Sequence, residues 1–168
     1  MKLSEGVEWG LHCVLVLATL PLEATVPTKF LAEYHGLSET YLSKHLQALA
    51  AARIVESVPG PKGGYRLVRA PGEITLLEVV EAIDGSEGTF RCLEIRQNGP
   101  CSSEPAAYRL PCGIHVAMAR ADKAWREALR SQTLAEIVSQ YEQHVSPETR
   151  QASQEWIMQR ARRTPAKA

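Results

Sequence analysis

Gly36-Leu37-Ser38-Glu39-Thr40-Tyr41-Leu42-Ser43-Lys44-His45-Leu46 is the stretch on which the fold turns. Gly36 reads as the end of a short helix that begins near Thr28, because a residue without a Cβ enters the left-handed conformation at little cost. Ser38 reads as the N-cap of the next helix. In the run Glu39 to Ala52, the residues Tyr41, Leu42, His45, Leu46 and Leu49 recur on one side. Two short helices around a glycine-containing turn make a helix-turn-helix.

Moving outward, Ile54 to Val58 and Tyr65 to Arg69 are strand-like and flank Pro59-Gly60-Pro61-Lys62-Gly63-Gly64, which predicts a β-hairpin. Upstream, Val7, Leu11, Val14, Leu15 and Ala18 fall at helical spacing in Val7 to Leu20, and Pro21 stops that helix. Thr75 to Ile83 reads as a further amphipathic helix. Ser86 to Pro111 has no clean period, carries Cys92 and Cys101, and leads into Cys112. A loop of that length in a compact domain is usually functional. Helical periodicity returns from Cys112 to Arg130, with Ile114, Ala117, Met118, Ala121, Trp125 and Leu129 in one stripe. Thr133 then caps Leu134 to Tyr141. The expected fold class is mainly α with a small β-hairpin wing: a winged helix-turn-helix plus a long C-terminal helix. The expected organisation is a DNA-binding unit over 1–85, a cysteine-bearing loop over 86–111, helices over 112–145, and a partly mobile polar tail over 146–168.

The 168 residues carry no net charge, so binding to nucleic acid must come from local segregation. Between Pro27 and Arg69 six basic residues (Lys29, Lys44, Arg53, Lys62, Arg66, Arg69) face three acidic ones, a local balance of +3. Phosphate contacts supply most non-specific affinity for DNA. Ser38, Thr40, Tyr41, Ser43 and Lys44 begin the second helix, the end that enters the major groove in this motif. Lys62, Gly63 and Gly64 form a wing tip that suits close approach to the DNA backbone. The apolar run Val14 to Leu22 is too short to span a bilayer, and Glu5, Glu8 and His12 precede it where a signal peptide carries basic residues. No membrane association and a cytoplasmic location are expected. In a reducing compartment, four cysteines argue for metal binding or redox sensing over structural disulfides. No phosphate-cradling glycine loop, Ser/His/Asp arrangement, Cys-x-x-Cys or zinc-ligand spacing occurs, which argues against an enzyme.

Glu8 and His12 are four residues apart and project from one face of the first helix. Taken alone, they read equally as a first-turn charge favoured by the helix dipole and an ordinary helix histidine. Cys13, among Val14, Leu15 and Val16, reads as core.

Leu37-Ser38-Glu39-Thr40-Tyr41-Leu42 and the wing sequence Pro59 to Leu67 resemble the bacterial winged-helix redox-regulator family that includes IscR, NsrR and RsrR. The resemblance implies a homodimer with crossing C-terminal helices, which reads a palindromic operator in double-stranded DNA, as a repressor, under the control of an iron–sulfur cluster. Val7-Glu8-Trp9-Gly10-Leu11-His12 is similar to the RsrR pattern. By that similarity Glu8 and His12 of one chain, with two loop cysteines of the other, would hold a [2Fe-2S] cluster, with [4Fe-4S] the alternative. Trp9 between them would report their state to the DNA-binding helices. The loop cysteines are spread more widely than in the family. Cys101, after the Gly99-Pro100 turn, and Cys112, abutting a helix, are favoured as ligands. Cys92 is a possible ligand or a spare thiol. Two other readings stand beside this one: a cluster-free regulator switched by a reversible disulfide among Cys92, Cys101 and Cys112, and a small metalloenzyme or electron carrier using the same cluster.

Overall fold

The computed structural model describes residues 2–61, 63–100, 104 and 108–163. Its order is α1 (Glu5–Ala18), β1 (Ala24–Thr25), α2 (Thr28–His35), α3 (Glu39–Ala51), β2 (Val55–Val58), β3 (Gly64–Leu67), α4 (Leu76–Asp84), α5 (Gly113–Arg130), α6 (Leu134–His144), α7 (Pro147–Met158) and β4 (Arg162–Arg163). It is a mainly helical winged helix-turn-helix with a two-stranded antiparallel wing, as the sequence predicts.

The core forms around α1, which packs against α3, α4 and α6. Cys13, Val14 and Leu17 of α1 meet Leu42, Leu46 and Leu49 of α3, together with Val26, Leu31, Ile54 and Val79. The three α3 leucines are fully buried and stand at the i, i+4, i+7 spacing of a single helical face. Burial is also what drives the Cys13 thiol up to about 12, so that side chain behaves as a small hydrophobe. Gly36 takes the left-handed conformation (φ 65°), and the N–H of Leu37 closes on the Ala32 carbonyl at 2.8 Å. That junction sets the angle between α2 and α3.

Ser38 does occupy the N-cap position of α3, but its hydroxyl makes no capping bond and is exposed. Thr133 does cap α6: its hydroxyl accepts from the Glu136 N–H, and the Glu136 carboxylate accepts from the Thr133 N–H at 2.8 Å. At the start of α1, the Ser4 N–H and hydroxyl both donate to the Asp84 carboxylate, tying α1 to the end of α4.

The wing pairs Val55 with Leu67, Glu56 with Arg66, Ser57 with Tyr65 and Val58 with Gly64. It is anchored to the helix-turn-helix by a bridge in which Val26 and Tyr65 exchange backbone hydrogen bonds at 2.9 Å. The hairpin itself accounts for both wing glycines. A Cβ on Gly63 would stand 2.1 Å from the Val58 carbonyl oxygen, and one on Gly64 would stand 2.5 Å from the Val26 backbone. Gly64→Ala therefore has to push backbone against backbone. The expected loss of stability is about 1–3 kcal/mol, visible as a lower urea midpoint; an unchanged midpoint would contradict the contact.

The chain from Ser146 departs from the expected polar tail. Pro147–Met158 form α7, capped by the Ser146 hydroxyl accepting from the Thr149 N–H. Ile157 is 2% exposed and belongs to the main core. Few apolar residues mark this helix, which is why its pattern reads as solvent-exposed. Beyond it, β4 pairs with β1.

Candidate nucleic-acid interface and thiol site

The second helix of the helix-turn-helix presents a polar face. Thr40, Tyr41, Lys44 and Gln47 are exposed on α3, and Tyr41 is 66% accessible. Ser43 is half-buried, its hydroxyl donating to the Glu39 carbonyl at 2.8 Å. It therefore faces its own helix rather than a groove. Gln47, one turn beyond Ser43, extends the polar face past the residues picked from the helix start. Lys62 lies outside the described residues.

Two of the six basic residues counted in this region turn back onto the protein. Arg66 meets Glu56 across the wing at 2.6 Å with its side chain only 13% exposed, and Arg69 meets Glu78 at 2.8 Å. Burial pushes the Glu78 carboxyl up, but the Thr75 N–H and the Arg69 guanidinium outweigh it and hold the group below its ordinary range. Lys29, Lys44 and Arg53 are exposed and available to phosphate. Lys44→Ala is expected to weaken DNA binding across sequences and to lower the slope of log affinity against log salt by about one. Fluorescence anisotropy over a salt series reads this directly, and an unchanged slope would remove Lys44 from the interface.

Trp9 connects the first helix to this face. Its ring lies edge-on to Tyr41 (6.4 Å between centroids) and to His45 (5.9 Å), both on α3. Gly6, one turn earlier, leaves room for the His45 ring, which a Cβ there would strike. Glu8 and His12 flank Trp9 and are both exposed. His12 also approaches His35 of α2, with ring centroids 5.5 Å apart.

The cysteine loop is held by arginines. Arg126 of α5 bonds Asp122 at 2.8 Å, Glu81 of α4, and the carbonyls of Ser86 and Glu87. The loop therefore leaves α4 pinned to α5. Farther along, Arg96 bonds Glu94 at 2.7 Å and the Leu110 carbonyl at 3.4 Å, while the Tyr108 hydroxyl donates to the Arg96 carbonyl at 3.1 Å. These bonds fold the two ends of the loop together and bring Cys92 beside Cys112.

Both thiols are free, and each lies close enough to influence the other's ionisation. Cys112 stands at the N-cap of α5. The N–H groups of His115 and Ile114 hold its thiol below the ordinary value, burial opposes them, and the Arg96 charge adds to the lowering. The Glu94 N–H favours the Cys92 thiolate, but burial, the Glu94 carboxylate 3.6 Å away and the Cys112 thiolate outweigh it and push the Cys92 thiol up. The two sulfurs are therefore pushed in opposite directions. Nearby, the buried Nδ1 of His115 has no hydrogen-bond partner among the described residues. Cys101 lies outside the described residues. Among those described, no three His, Cys, Asp or Glu side chains converge, so Glu8 and His12 do not join the two thiols within one chain.

An exposed polar helix beside a paired wing, coupled through an aromatic contact to a helix behind it, defines a transcriptional regulator of the winged-helix class. The chain belongs to the Rrf2 family, whose model, described as an iron-dependent transcriptional regulator, matches residues 3–140. The HTH-type transcriptional regulator NsrR of Shouchella clausii (strain KSM-K16) is 28% identical over 138 residues, covering 82% of this chain and 89% of that protein. The solved structure of IscR from T. potens is 26% identical with a TM-score of 0.65, over 87% of this chain and 93% of the other. CymR, the global cysteine regulator of B. subtilis, is 29% identical with a TM-score of 0.63, over 83% and 97%. These relatives are regulators rather than enzymes. No helix among the described residues is long and apolar enough to cross a membrane.

Proposed function

We propose that two copies of this chain read a palindromic operator as a repressor and that an iron–sulfur cluster of the [2Fe-2S] type sets their affinity for it. One observation carries the reading. The turn of α1 that bears Glu8 and His12 also bears Trp9, whose ring abuts Tyr41 and His45 of α3. Whatever grips that turn is therefore felt by the DNA-reading helix.

The donor set fits such a group. Cys112 and Cys92 offer two sulfurs near the N-terminus of α5, with the Arg96 guanidinium, itself paired with Glu94, beside them. Cys101 is the alternative second sulfur. Glu8 and His12 of a second copy supply the other two ligands, in keeping with the RsrR-type pattern around Trp9. A bound cluster exchanges single electrons at a potential set by its ligands and their surroundings, and histidine in place of cysteine raises it. α5 offers the surface that brings two copies together: Ile114, Val116 and Met118 are exposed along it, and none of its residues is buried in one chain. As a regulator of chromosomal operators, the protein would act in the cytoplasm.

The test is absorption and EPR spectroscopy of protein purified without oxygen. Charge-transfer bands and a paramagnetic signal on reduction are expected, and His12→Ala should alter both the spectrum and the redox response of operator binding. A colourless, iron-free product after reconstitution overturns the cluster reading.

The contact between Cys92 and Cys112 also favours a second reading, a cluster-free thiol switch. A peroxide would oxidise the Cys112 thiolate to a sulfenic acid, and the Cys92 thiol would then condense with it, forming a disulfide and releasing water. His12→Ala separates the two readings, because a thiol switch does not use that imidazole.

A further inference from the structure

Side chains of α1, α2, α6 and α7 line a cleft of about 380 Å³. This is within the range of pockets that hold small organic ligands. Its wall carries Tyr34 and His35 from α2, Tyr141 and Glu142 from α6, and Arg150 from α7, with His12 at its rim. Leu15, Val138 and Ile157 line the rest with hydrocarbon.

Two polar atoms here lack what buried polar atoms ordinarily have. Among the described residues, three buried side-chain nitrogens make no hydrogen bond, and two of them, His35 Nε2 and Arg150 Nε, belong to residues lining this cleft. A buried donor left without a partner is destabilising, and most such atoms in folded proteins find one. Arg150 is in addition absent from every ion pair found among the described residues. A guanidinium N–H only donates, and its charge selects an anion. The Tyr34 ring stands edge-on to His35 at 4.8 Å and beside Trp156 at 5.4 Å, so one wall of the site is aromatic.

We infer that this cleft is a binding site for a small organic carboxylate with an apolar, planar body. Arg150 receives the carboxylate, and His35, whose imidazole burial and His12 hold towards the neutral form, adds a hydrogen bond in the tautomer that carries its proton on Nε2. The aliphatic and aromatic wall receives the body, and Glu142 selects for a hydroxyl or ammonium group carried elsewhere on the ligand. The inference goes beyond the cluster reading and does not depend on it. The ligand would touch α1 and α2, the helices that support the recognition helix, and α7, the helix whose apolar contribution is mainly Ile157. Binding energy that differs between two placements of α2 shifts operator affinity by the same factor that operator binding shifts ligand affinity.

The experiment is isothermal titration calorimetry of the full chain, as purified, with phenylacetate, hexanoate, indole-3-acetate and phenylalanine, and with phenylacetamide as the neutral analogue. At least one acid is expected to bind and to raise the melting temperature, and its amide is expected to bind about tenfold or more weakly, the loss of one charge-assisted hydrogen bond. Arg150→Met is expected to lose the preference for acid over amide. Ser153→Trp, which fills the cleft from α7 without touching its charge, is expected to abolish binding of both, and it decides the matter if Arg150→Met does not fold. Absence of binding by every acid, equal affinity for acid and amide, or full binding by Ser153→Trp each overturns the site. Calorimetry needs no iron, so such a failure leaves the spectroscopic test of the cluster untouched.

Discussion

Ile114→Asp combined with Met118→Asp is expected to leave the proposed dimer monomeric and to weaken operator binding about a hundredfold or more. Both residues lie on the same face of α5, one turn apart, at 66% and 38% exposure in the single chain. An 18-residue helix with no buried residue and an apolar stripe of Ile114, Ala117, Met118 and Ala121 has to cover that stripe with something. Burying a side chain of this size contributes about 1.5–3 kcal/mol. Two charges placed on each partner would put four carboxylates into a symmetric apolar interface. A dimer gains its operator affinity by converting the second half-site into an intramolecular encounter, an advantage of about 10²–10⁴. Sedimentation velocity reads the assembly, and anisotropy with a full and a half operator reads the binding. Because both residues are exposed in one chain, the melting temperature of the monomer itself should stay close to that of a dissociated wild type. A variant that remains dimeric would place the interface elsewhere.

The parts of this molecule that the sequence made legible are those governed by period and by local backbone chemistry. Leu42, Leu46 and Leu49 mark the buried face of α3 because burial repeats with the helix. Gly36 and Thr133 announce helix ends because each satisfies a requirement within four residues of itself. The wing is visible because alternating residues flank a run of proline and glycine. What escaped notice depends on partners far along the chain. Arg66 was counted toward DNA, yet the wing register places it opposite Glu56, a fact of pairing rather than composition. α7 carries little more than Trp156 and Ile157 as apolar marks, so nothing periodic separates it from a polar tail. The meeting of Cys92 with Cys112 rests on Arg96 reaching the Leu110 carbonyl across an aperiodic loop, which spacing alone does not reveal. The Trp9 contacts were half legible: its place between Glu8 and His12 suggested a reporter, but only the fold supplies Tyr41 and His45 as its audience.

Cys112→Ser is expected to remove the iron and acid-labile sulfide of the proposed cluster, and with them the redox-dependent change in operator affinity that the cluster would impose. The reason lies in its position. Cys112 is the N-cap residue of α5 and only 9% exposed, and the nearby His115 and Ile114 N–H groups hold its thiol below the ordinary value, so another donor would have to enter at the helix start itself. A serine there has nearly the same shape but binds iron far less well, since soft thiolates are what iron–sulfur centres select. The paired variants Cys92→Ser and Cys101→Ser then assign the second sulfur. If the neighbour held against Cys112 by Arg96 is the ligand, Cys92→Ser loses iron as completely as Cys112→Ser, and Cys101→Ser keeps it. The reverse pattern gives that role to Cys101 and leaves Cys92 as a nearby thiol that does not ligate. Iron and sulfide assays on anaerobically reconstituted protein distinguish these outcomes within one experiment. Full iron content in Cys112→Ser would separate the α5 N-terminus from the sensing chemistry altogether, and the regulator's signal would then have to enter through a different part of the fold.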